Sequence, residues 1–411
     1  MRVSSNFRSV LTFVALSVGL SFAGVCAAGQ DVGADVIGGA GIFRPKNPEA
    51  RKRTTRTPSV IRRGSASRPT ASANAGLADR IEDLLDKGNQ FRDARRFAEA
   101  EAAYQSVLKL KANDGRAAYG LGNVYSDQQR WEEAELAYRN AALWSPSDVD
   151  ALVALSVVLV QPRTGAGNAK RFVDAESFAR RAIQLQPKNA VAWDRLGVAL
   201  QARGLFNNET ENAYRRAVEL DPQFPVAYAH LARVLNRLGR RDEAAQLYEK
   251  ATELAKDPAT LNLIAESLQA EQQWQNSEPV LKRVLEIDPR NPTALYLLGR
   301  MLVVLKRYQE SESYLKLATE VSPRAFQPFN LLGRTYLALD RFEEAEVTYE
   351  RAAQFASPGD RKQLAGIYGF EGVGDGFLKV KKKPSAERAY KRALEIDPAN
   401  KDLEKKLAQA H

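Results

Sequence analysis

The sequence predicts an all-α protein built from about nine consecutive helix pairs. Three observations lead to this fold class. Small and large apolar residues recur along residues 81–400 with a period close to 34 residues. Within each period they fall on one face of a helix of 3.6 residues per turn. Several periods also close with a proline, which ends a helix because it lacks a backbone N–H donor. A sequence period of this length indicates a stack of similar helical units.

The copy around Gly122 shows the pattern most completely. Ala134, Tyr138 and Ala141 follow this glycine at 12, 16 and 19 residues, and Pro146 closes the copy at 24. The equivalent anchors of the nine copies are Gly88, Gly122, Ser156, Gly197, Ala232, Ala265, Gly299, Gly333 and Gly374. Successive anchors are 34, 34, 41, 35, 33, 34, 34 and 41 residues apart. Seven extra residues therefore fall within 161–172 and another seven near 360–366, and each insertion is either a tolerated surface insertion or a binding elaboration.

The pattern resembles the tetratricopeptide repeat (TPR), which has small residues at helix crossings, an aromatic residue or leucine between them, and a closing proline. The residues that carry the resemblance in the second copy are Gly122, Tyr125, Ala134, Tyr138, Ala141 and Pro146. The resemblance implies antiparallel helix pairs stacked into a right-handed superhelix, with a groove lined mainly by the first helix of each pair. Each pair relies on its neighbours to bury its apolar face.

Four segments are predicted along the chain. Residues 1–28 form a signal peptide, 29–76 a disordered basic leader, 77–400 the TPR array and 401–411 a capping helix. The first segment has the three-part form of an export signal: a basic start, an apolar stretch and the small residues CAAG. We therefore expect an exported protein of the periplasm or cell envelope. An uncleaved membrane anchor is the alternative, because the uncharged run 9–30 is long enough to span a bilayer.

Charge is concentrated at the N-terminus. Residues 1–80 carry +8 of the formal net charge of +10, which leaves +2 for the repeats. A large phosphate-binding surface on the repeats is therefore not expected, and a nucleic-acid partner is disfavoured. Residues 43–70 hold nine Lys and Arg against one acid, Glu49. This tract is interpreted either as a contact to an anionic membrane or polymer or as a soluble spacer.

The sequence offers no set of residues typical of an enzyme. It has two histidines, His230 and His411, and one cysteine, Cys26, which signal cleavage would remove. A histidine metal site and a Ser-His-Asp arrangement cannot be assembled from these residues. The glycine-containing stretches at 164–171 and 372–377 lack the spacing of a phosphate loop. We therefore predict no catalytic residues, no metal and no cofactor, and we place His230 in the groove or on the surface.

Function is expected in the groove. Residues three before, one after and four after each anchor share one face of the first helix, and we call them the groove positions. The candidate peptide-binding residues at these positions are Tyr119, Asn123, Arg233, Asn236, Asn262, Tyr296, Arg300, Asn330 and Arg334. Arginine can pair with a carboxylate and asparagine can hydrogen-bond an extended backbone, so an acidic or extended peptide is the predicted ligand. The alternative is that these arginines pair locally with Glu and Asp.

These observations predict a non-catalytic scaffold or adaptor that binds protein or peptide partners. Exported proteins of this organisation are similar to accessory factors for the assembly of secretion, pilus or polysaccharide machines, which is an analogy. Two alternatives stay open. One is a self-associating structural protein of the envelope, and the other is a non-catalytic subunit of an enzyme complex.

Overall fold

The computed structural model describes residues 47, 69–161, 163 and 167–410. Within these ranges all regular secondary structure is helical, which confirms the predicted all-α class. None of the helices in the described ranges combines the length and apolar character needed to cross a bilayer. The predicted signal peptide, Cys26, His411 and nearly all of the predicted leader lie outside the described residues, so the export prediction stays a prediction.

The described residues form twenty α-helices, and eighteen of them correspond in chain order to the two helices of each sequence copy. The pairs are α1 Pro69–Asp93 and α2 Phe97–Leu110, α3 Gly115–Asp127 and α4 Trp131–Trp144, α5 Val149–Leu159 and α6 Asn168–Leu185, α7 Ala190–Ala202 and α8 Asn208–Leu220, α9 Pro225–Arg237 and α10 Arg241–Leu254, α11 Pro258–Ala270 and α12 Trp274–Ile287, α13 Pro292–Val304 and α14 Tyr308–Val321, α15 Phe326–Ala338 and α16 Phe342–Phe355, and α18 Phe370–Lys379 and α19 Lys383–Ile396. The short helix α17 Pro358–Arg361 and a 3-10 turn, Lys362–Leu364, precede the last pair, and α20 Lys401–Ala410 follows it.

The chain divides into two compact units, Met1–Leu205 and Phe206–His411. The described helices of the first unit are α1–α7, and those of the second are α8–α20. Within each unit, consecutive helices of the array pack against each other, and first helices of several neighbouring pairs also touch. This arrangement is that of a TPR solenoid within each unit, as the sequence predicts.

A large side chain of the same pair covers most of the anchor glycines. A Cβ atom added to Gly122 would lie 2.5 Å from the ring of Tyr138. The rings of Tyr349 and Tyr390 cover Gly333 and Gly374 in the same way, and Leu315 covers Gly299. The repeat pattern predicts a large residue between the helix crossings, and the structure places that residue directly on the glycine of its own pair.

The turns inside the pairs share one backbone conformation. The residue two positions after a first helix has a positive φ in most pairs, and Gly239 is an example at 83°. Non-glycine residues take the same left-handed conformation in other pairs, with φ between 56° and 61°, at Arg95, Gln129, Gln272, Lys306, Asp340 and Lys381. The turn therefore imposes its conformation on whichever residue occupies it.

An arginine directly before several second helices links neighbouring pairs. Arg130 donates from Nε to Glu133 in its own helix at 2.6 Å and from Nη1 to Glu101 of the preceding pair at 3.2 Å. Its guanidinium also lies 4.4 Å from the centre of the Tyr125 ring. The same pattern of one glutamate in the arginine's own helix and one in the preceding pair recurs at Arg240, Arg307 and Arg341. We call these four residues the bridging arginines.

The N-terminal boundary differs from the prediction. Helix α1 begins at Pro69, before the predicted start of the array at residue 77. Asn47, within the segment predicted to be disordered, lies against the end of α1, where its side chain bonds to Arg92 and Asp93. Helix α20 covers the segment predicted as a capping helix. Its Lys406 pairs with Glu371 and Asp375 of α18, the first helix of the last pair.

Candidate functional site

In the first unit, the two candidate residues are part of the core. Tyr119 and Asn123 are both buried. The hydroxyl of Tyr138 donates to Oδ1 of Asn123 at 2.9 Å, and the rings of Tyr119 and Tyr138 lie 5.8 Å apart. Burial raises the pKa of both tyrosines, so their hydroxyls stay protonated donors. Tyr119 and Asn123 therefore hold the covering tyrosine in place and present little surface to a ligand.

This use of the groove position after the anchor recurs in both units. Tyr104 donates to Oδ1 of Asn89 at 2.7 Å, and Tyr390 donates to Oδ1 of Asp375 at 2.6 Å. The polar residue one position after the anchor glycine thus accepts the hydroxyl of the tyrosine that covers that glycine. Asparagine or aspartate at this position has a structural role in these pairs.

In the second unit, Arg233 and Asn236 turn toward the next pair. Arg233 is only 2% exposed, and its Nε lies 3.8 Å from Oε1 of Glu271. Asn236 donates to the other oxygen of Glu271 at 2.8 Å, and Arg237 pairs with the same carboxylate at 2.9 Å. The alternative of local pairing therefore describes Arg233, which has little surface left for a partner.

Arg300 is also engaged by a neighbouring pair. Its Nε and Nη2 donate to Oε1 of Gln269 at 3.1 and 2.7 Å, and its guanidinium lies 5.9 Å from the ring centre of Tyr296. Gln269 is itself buried and donates to the backbone oxygen of Leu297. Arg300 and Tyr296 are half-buried, so part of each stays accessible.

Asn262 lies on the first helix of the pair before Arg300. Its Nδ2 donates to Oδ1 of Asn291 at 3.0 Å. Its own Oδ1 is buried with no hydrogen-bond donor among the described residues. Asn262 therefore carries a buried acceptor that no described residue satisfies.

Asn330 and Arg334 are the two candidates on the first helix of the eighth pair; Asn330 is buried at 8% exposure, whereas Arg334 keeps part of its surface accessible. They lie one turn apart on α15, and Arg334 is half-buried. Within the described residues Arg334 has no carboxylate or hydrogen-bond partner, and its guanidinium lies 4.8 Å from the ring centre of Tyr368. Asn330 reaches Oε1 of Gln363 at 3.5 Å, and its own Oδ1 is buried without a donor from the described chain. We call Asn330, Arg334, Gln363 and Tyr368 the Arg334 site.

The insertion before the last pair builds one wall of the Arg334 site. Tyr368 follows the 3-10 turn and is 51% exposed, and the neighbouring Ile367 is 57% exposed. The backbone oxygen of Tyr368 accepts a hydrogen bond of 2.8 Å from the hydroxyl of Tyr349. Burial raises the pKa of Tyr349, so its hydroxyl stays a protonated donor. This bond fixes the backbone that carries the exposed ring. The site thus combines a cation, an amide acceptor and an aromatic face.

Three residues that contact groove positions or lie at them, Arg92, Tyr368 and Glu271, were not among the candidates chosen from the sequence. Arg92 lies at a groove position four after Gly88, so the same rule applied to the first copy would have identified it. Tyr368 belongs to an insertion, and nothing in a repeat pattern indicates where an inserted side chain will point. Glu271 lies outside the groove positions, six residues after its anchor.

His230 does not lie where the sequence places it. His230 is buried, with its ring 5.3 Å from that of Tyr214, so it lies neither on the surface nor in an open groove. On α18, Glu371 and Asp375 both form ion pairs with Lys406 of α20. No group of three or more His, Cys, Asp or Glu side chains suited to a metal ion occurs in the described part of the chain.

Three of the solved structures that match cover 43–46% of this chain. A thermophilic TPR protein from Thermus thermophilus is 23% identical over 46% of this chain and 99% of its own, with a TM-score of 0.39. MamA from Desulfovibrio magneticus RS-1 is 19% identical over 43% of this chain and 95% of its own, with a TM-score of 0.37. YrrB, described as a TPR protein with an unusual peptide-binding site, is 21% identical over 43% of this chain and 91% of its own, with a TM-score of 0.34. Among curated proteins no match is found.

Family models identify the repeats directly. Models described as tetratricopeptide repeat match residues 85–148, 207–266, 268–327 and 327–357, which together make up slightly more than half of the 411 residues. The matches fall in both compact units and lie within the helical part of the chain. Proteins of this kind are typically non-catalytic protein-interaction scaffolds. The chain belongs to the tetratricopeptide repeat family.

Proposed function

We propose that the chain is a non-catalytic adaptor that binds a protein or peptide partner at the groove positions of its second unit. The observation that carries this proposal is the state of Arg334. Its guanidinium is held against the Tyr368 ring and has no carboxylate partner among the described residues, unlike Arg233 beside Glu271. A planar guanidinium binds a carboxylate through two parallel hydrogen bonds. An acidic side chain or a terminal carboxylate of the partner is therefore the ligand for this position.

Asn330 extends the site along the same helix. Its Oδ1 is buried without a donor from the described chain, and Asn262 on α11 has an Oδ1 in the same condition. Leaving a buried acceptor unpaired costs about 1–3 kcal/mol. Both oxygens lack accessible surface, so an N–H group of an extended peptide can supply the missing donor only after the asparagine side chain turns outward. The ligand that fits best is an extended segment with one acidic group placed over Arg334.

The finer assignment rests on the sequence. We propose that the protein is exported to the periplasm or cell envelope, supported by the three-part N-terminus, and that it assists the assembly of a secretion, pilus or polysaccharide machine. We also propose that residues 43–70 bring it to an anionic membrane or polymer through their nine basic side chains. Release by several hundred millimolar salt, and loss of the contact on deletion of 43–70, would test this proposal.

The groove proposal is tested by partner capture with single variants. Arg334→Ala removes the unpaired cation, and Arg351→Ala is a matched control. Arg351 is exposed, lies over the Phe355 ring at 5.1 Å, and hydrogen-bonds to the uncharged Gln354. Arg233 is unsuitable, because removing a buried arginine would also disturb the fold.

The intact chain and the two variants are used to capture proteins from an envelope extract, and the affinity of the purified partner is then measured by calorimetry. We expect Arg334→Ala to weaken binding about tenfold or more, since it removes hydrogen bonds to a charged group, and Arg351→Ala to leave it unchanged. Equal affinity of all three proteins would exclude the Arg334 site. Self-association in sedimentation, with no partner captured, would favour the structural alternative.

A further inference from the structure

Arg92 is the most completely buried arginine at a groove position of the first unit, at 1% exposure. Its Nε and Nη2 donate to the two oxygens of Asp127 at 2.7 and 3.1 Å. Asp127 ends α3, so this pair links the first helices of the first two repeat pairs. The bidentate contact fixes the guanidinium plane, and Nη1 then points away from Asp127.

A second group of Arg92, Nη1, hydrogen-bonds to the side chain of Asn47. Nη1 donates to Oδ1 of Asn47 at 3.0 Å, and Nδ2 of Asn47 donates to Oδ2 of Asp93 at 2.9 Å. The Arg92 guanidinium supplies only donors, and the Asp93 carboxylate supplies only acceptors. The two halves of one carboxamide are therefore matched by two groups of opposite polarity. A carboxylate at the same place would be repelled by Asp93, and an aliphatic side chain would make neither of these two hydrogen bonds.

We propose that Arg92 and Asp93 form a carboxamide-recognition site at the groove positions of the first unit, and that its ligand is Asn47 of the same chain. The site is distinct from the Arg334 site, which belongs to the second unit. An extended external segment that carries an asparagine must displace Asn47 before it can occupy this place. The leader thereby acts as a ligand in cis.

The chain between Asn47 and the repeats is long enough for this contact. Asn47 lies at the C-terminal end of α1, and the first residue of that helix is Pro69. A helix of this length spans roughly 35 Å at 1.5 Å per residue. The intervening 48–68 segment reaches up to about 70 Å when extended, at roughly 3.3 Å per residue. The contact can therefore form within one molecule.

Trypsin cleavage after Lys46 tests the contact. The peptide bond before Asn47 is cut only in molecules in which Asn47 has separated from Arg92 and Asp93. The variants are Asn47→Asp, which removes the donor to Asp93, and Asn47→Asp combined with Asp93→Asn, which supplies a new donor at position 93. Asn276→Asp is the control, since Asn276 is an exposed asparagine bonded only within its own turn. All are made in the full chain and followed by mass spectrometry.

We expect Asn47→Asp to speed cleavage after Lys46 about tenfold, the double variant to return toward the original rate, and Asn276→Asp to have no effect. Cleavage of Asn47→Asp at the original rate would overturn the proposal. Protection that rises with protein concentration would also overturn it, because the ligand would then come from a second copy. Neither readout needs a partner protein, so the result stands apart from the outcome for the Arg334 site.

Discussion

Tyr138 occupies the space in which any side chain at position 122 would begin. The nearest ring atoms lie 2.5 Å from the place of a Cβ on Gly122, which is closer than non-bonded carbon atoms approach. The tyrosine is itself buried and its hydroxyl is bonded to Asn123, so the ring cannot move aside freely. The small residue at the anchor is therefore required by the side chain that faces it.

Gly122→Ala should destabilise the protein by about 1–3 kcal/mol, because the new methyl group overpacks against the Tyr138 ring. Gly76→Ala is the control: Gly76 is exposed on α1, and its added Cβ would meet nothing within 4 Å. This second change should be neutral or slightly stabilising, since alanine favours helix over glycine. Denaturant midpoints of the two variants measure the difference, and equal midpoints would contradict the packing described for this glycine.

Ala134→Leu should cost a similar amount, about 1–3 kcal/mol, because Ala134 has no exposed surface at the helix crossing. Leu136→Ala lies two residues away on the same helix and is 64% exposed, so we expect little change there. Thermal melting of both variants provides the measurement. An unchanged melting curve for Ala134→Leu would argue against a close crossing at this residue.

The left-handed turn at Gly239 gives a third prediction. Its φ is 83°, and nothing lies within 4 Å of an added Cβ, so any cost of Gly239→Ala comes from the backbone alone. That cost is about 1–2 kcal/mol for a residue with a side chain in this region. We expect a lower denaturant midpoint than for the unsubstituted protein. A midpoint as high as that of Gly76→Ala would show that the turn relaxes instead.

Acidification should weaken the ion pairs of the bridging arginines. The hydrogen bond from Arg341 lowers the pKa of Glu344, and hydrogen bonds from Arg307 and Lys282 lower that of Glu278. A carboxyl group whose pKa is lower in the folded state stabilises the fold above its unfolded pKa of about 4.3, and this stabilisation is lost as the pH falls through the folded value. The melting temperature should therefore decrease as the pH is lowered below about 4.3.

Arg341→Ala tests this pH dependence, because it removes the partner of Glu344 and one partner of Glu312. The variant should melt lower at neutral pH and lose part of the acid-dependent decrease. Arg351→Ala, whose arginine bonds to an amide, should keep the original pH profile. Parallel profiles for all three proteins would show that these ion pairs do not contribute to the acid sensitivity.

The architecture could be predicted from the sequence because its determinants are local and repeated. Small and large residues at fixed offsets around Gly122 and Tyr138 specify one crossing, and repetition specifies the stack. The groove was harder to predict, because its long side chains reach partners in the next pair. Arg233 turns to Glu271 and Arg300 to Gln269, and the pattern of one helix does not contain this information. Tyr368 lies outside the repeat pattern altogether.

The bridging arginines have a consequence for how the array responds to its surroundings. Each holds one glutamate within its own helix and one in the preceding pair, so the free energy that couples neighbouring pairs is partly ionic. In a linear array this coupling decides whether the pairs melt together or one after another. Salt screens exposed charges, so we expect rising ionic strength to broaden the unfolding transition. The ionic strength of the solvent thereby determines how strongly the unfolding of one pair destabilises its neighbours.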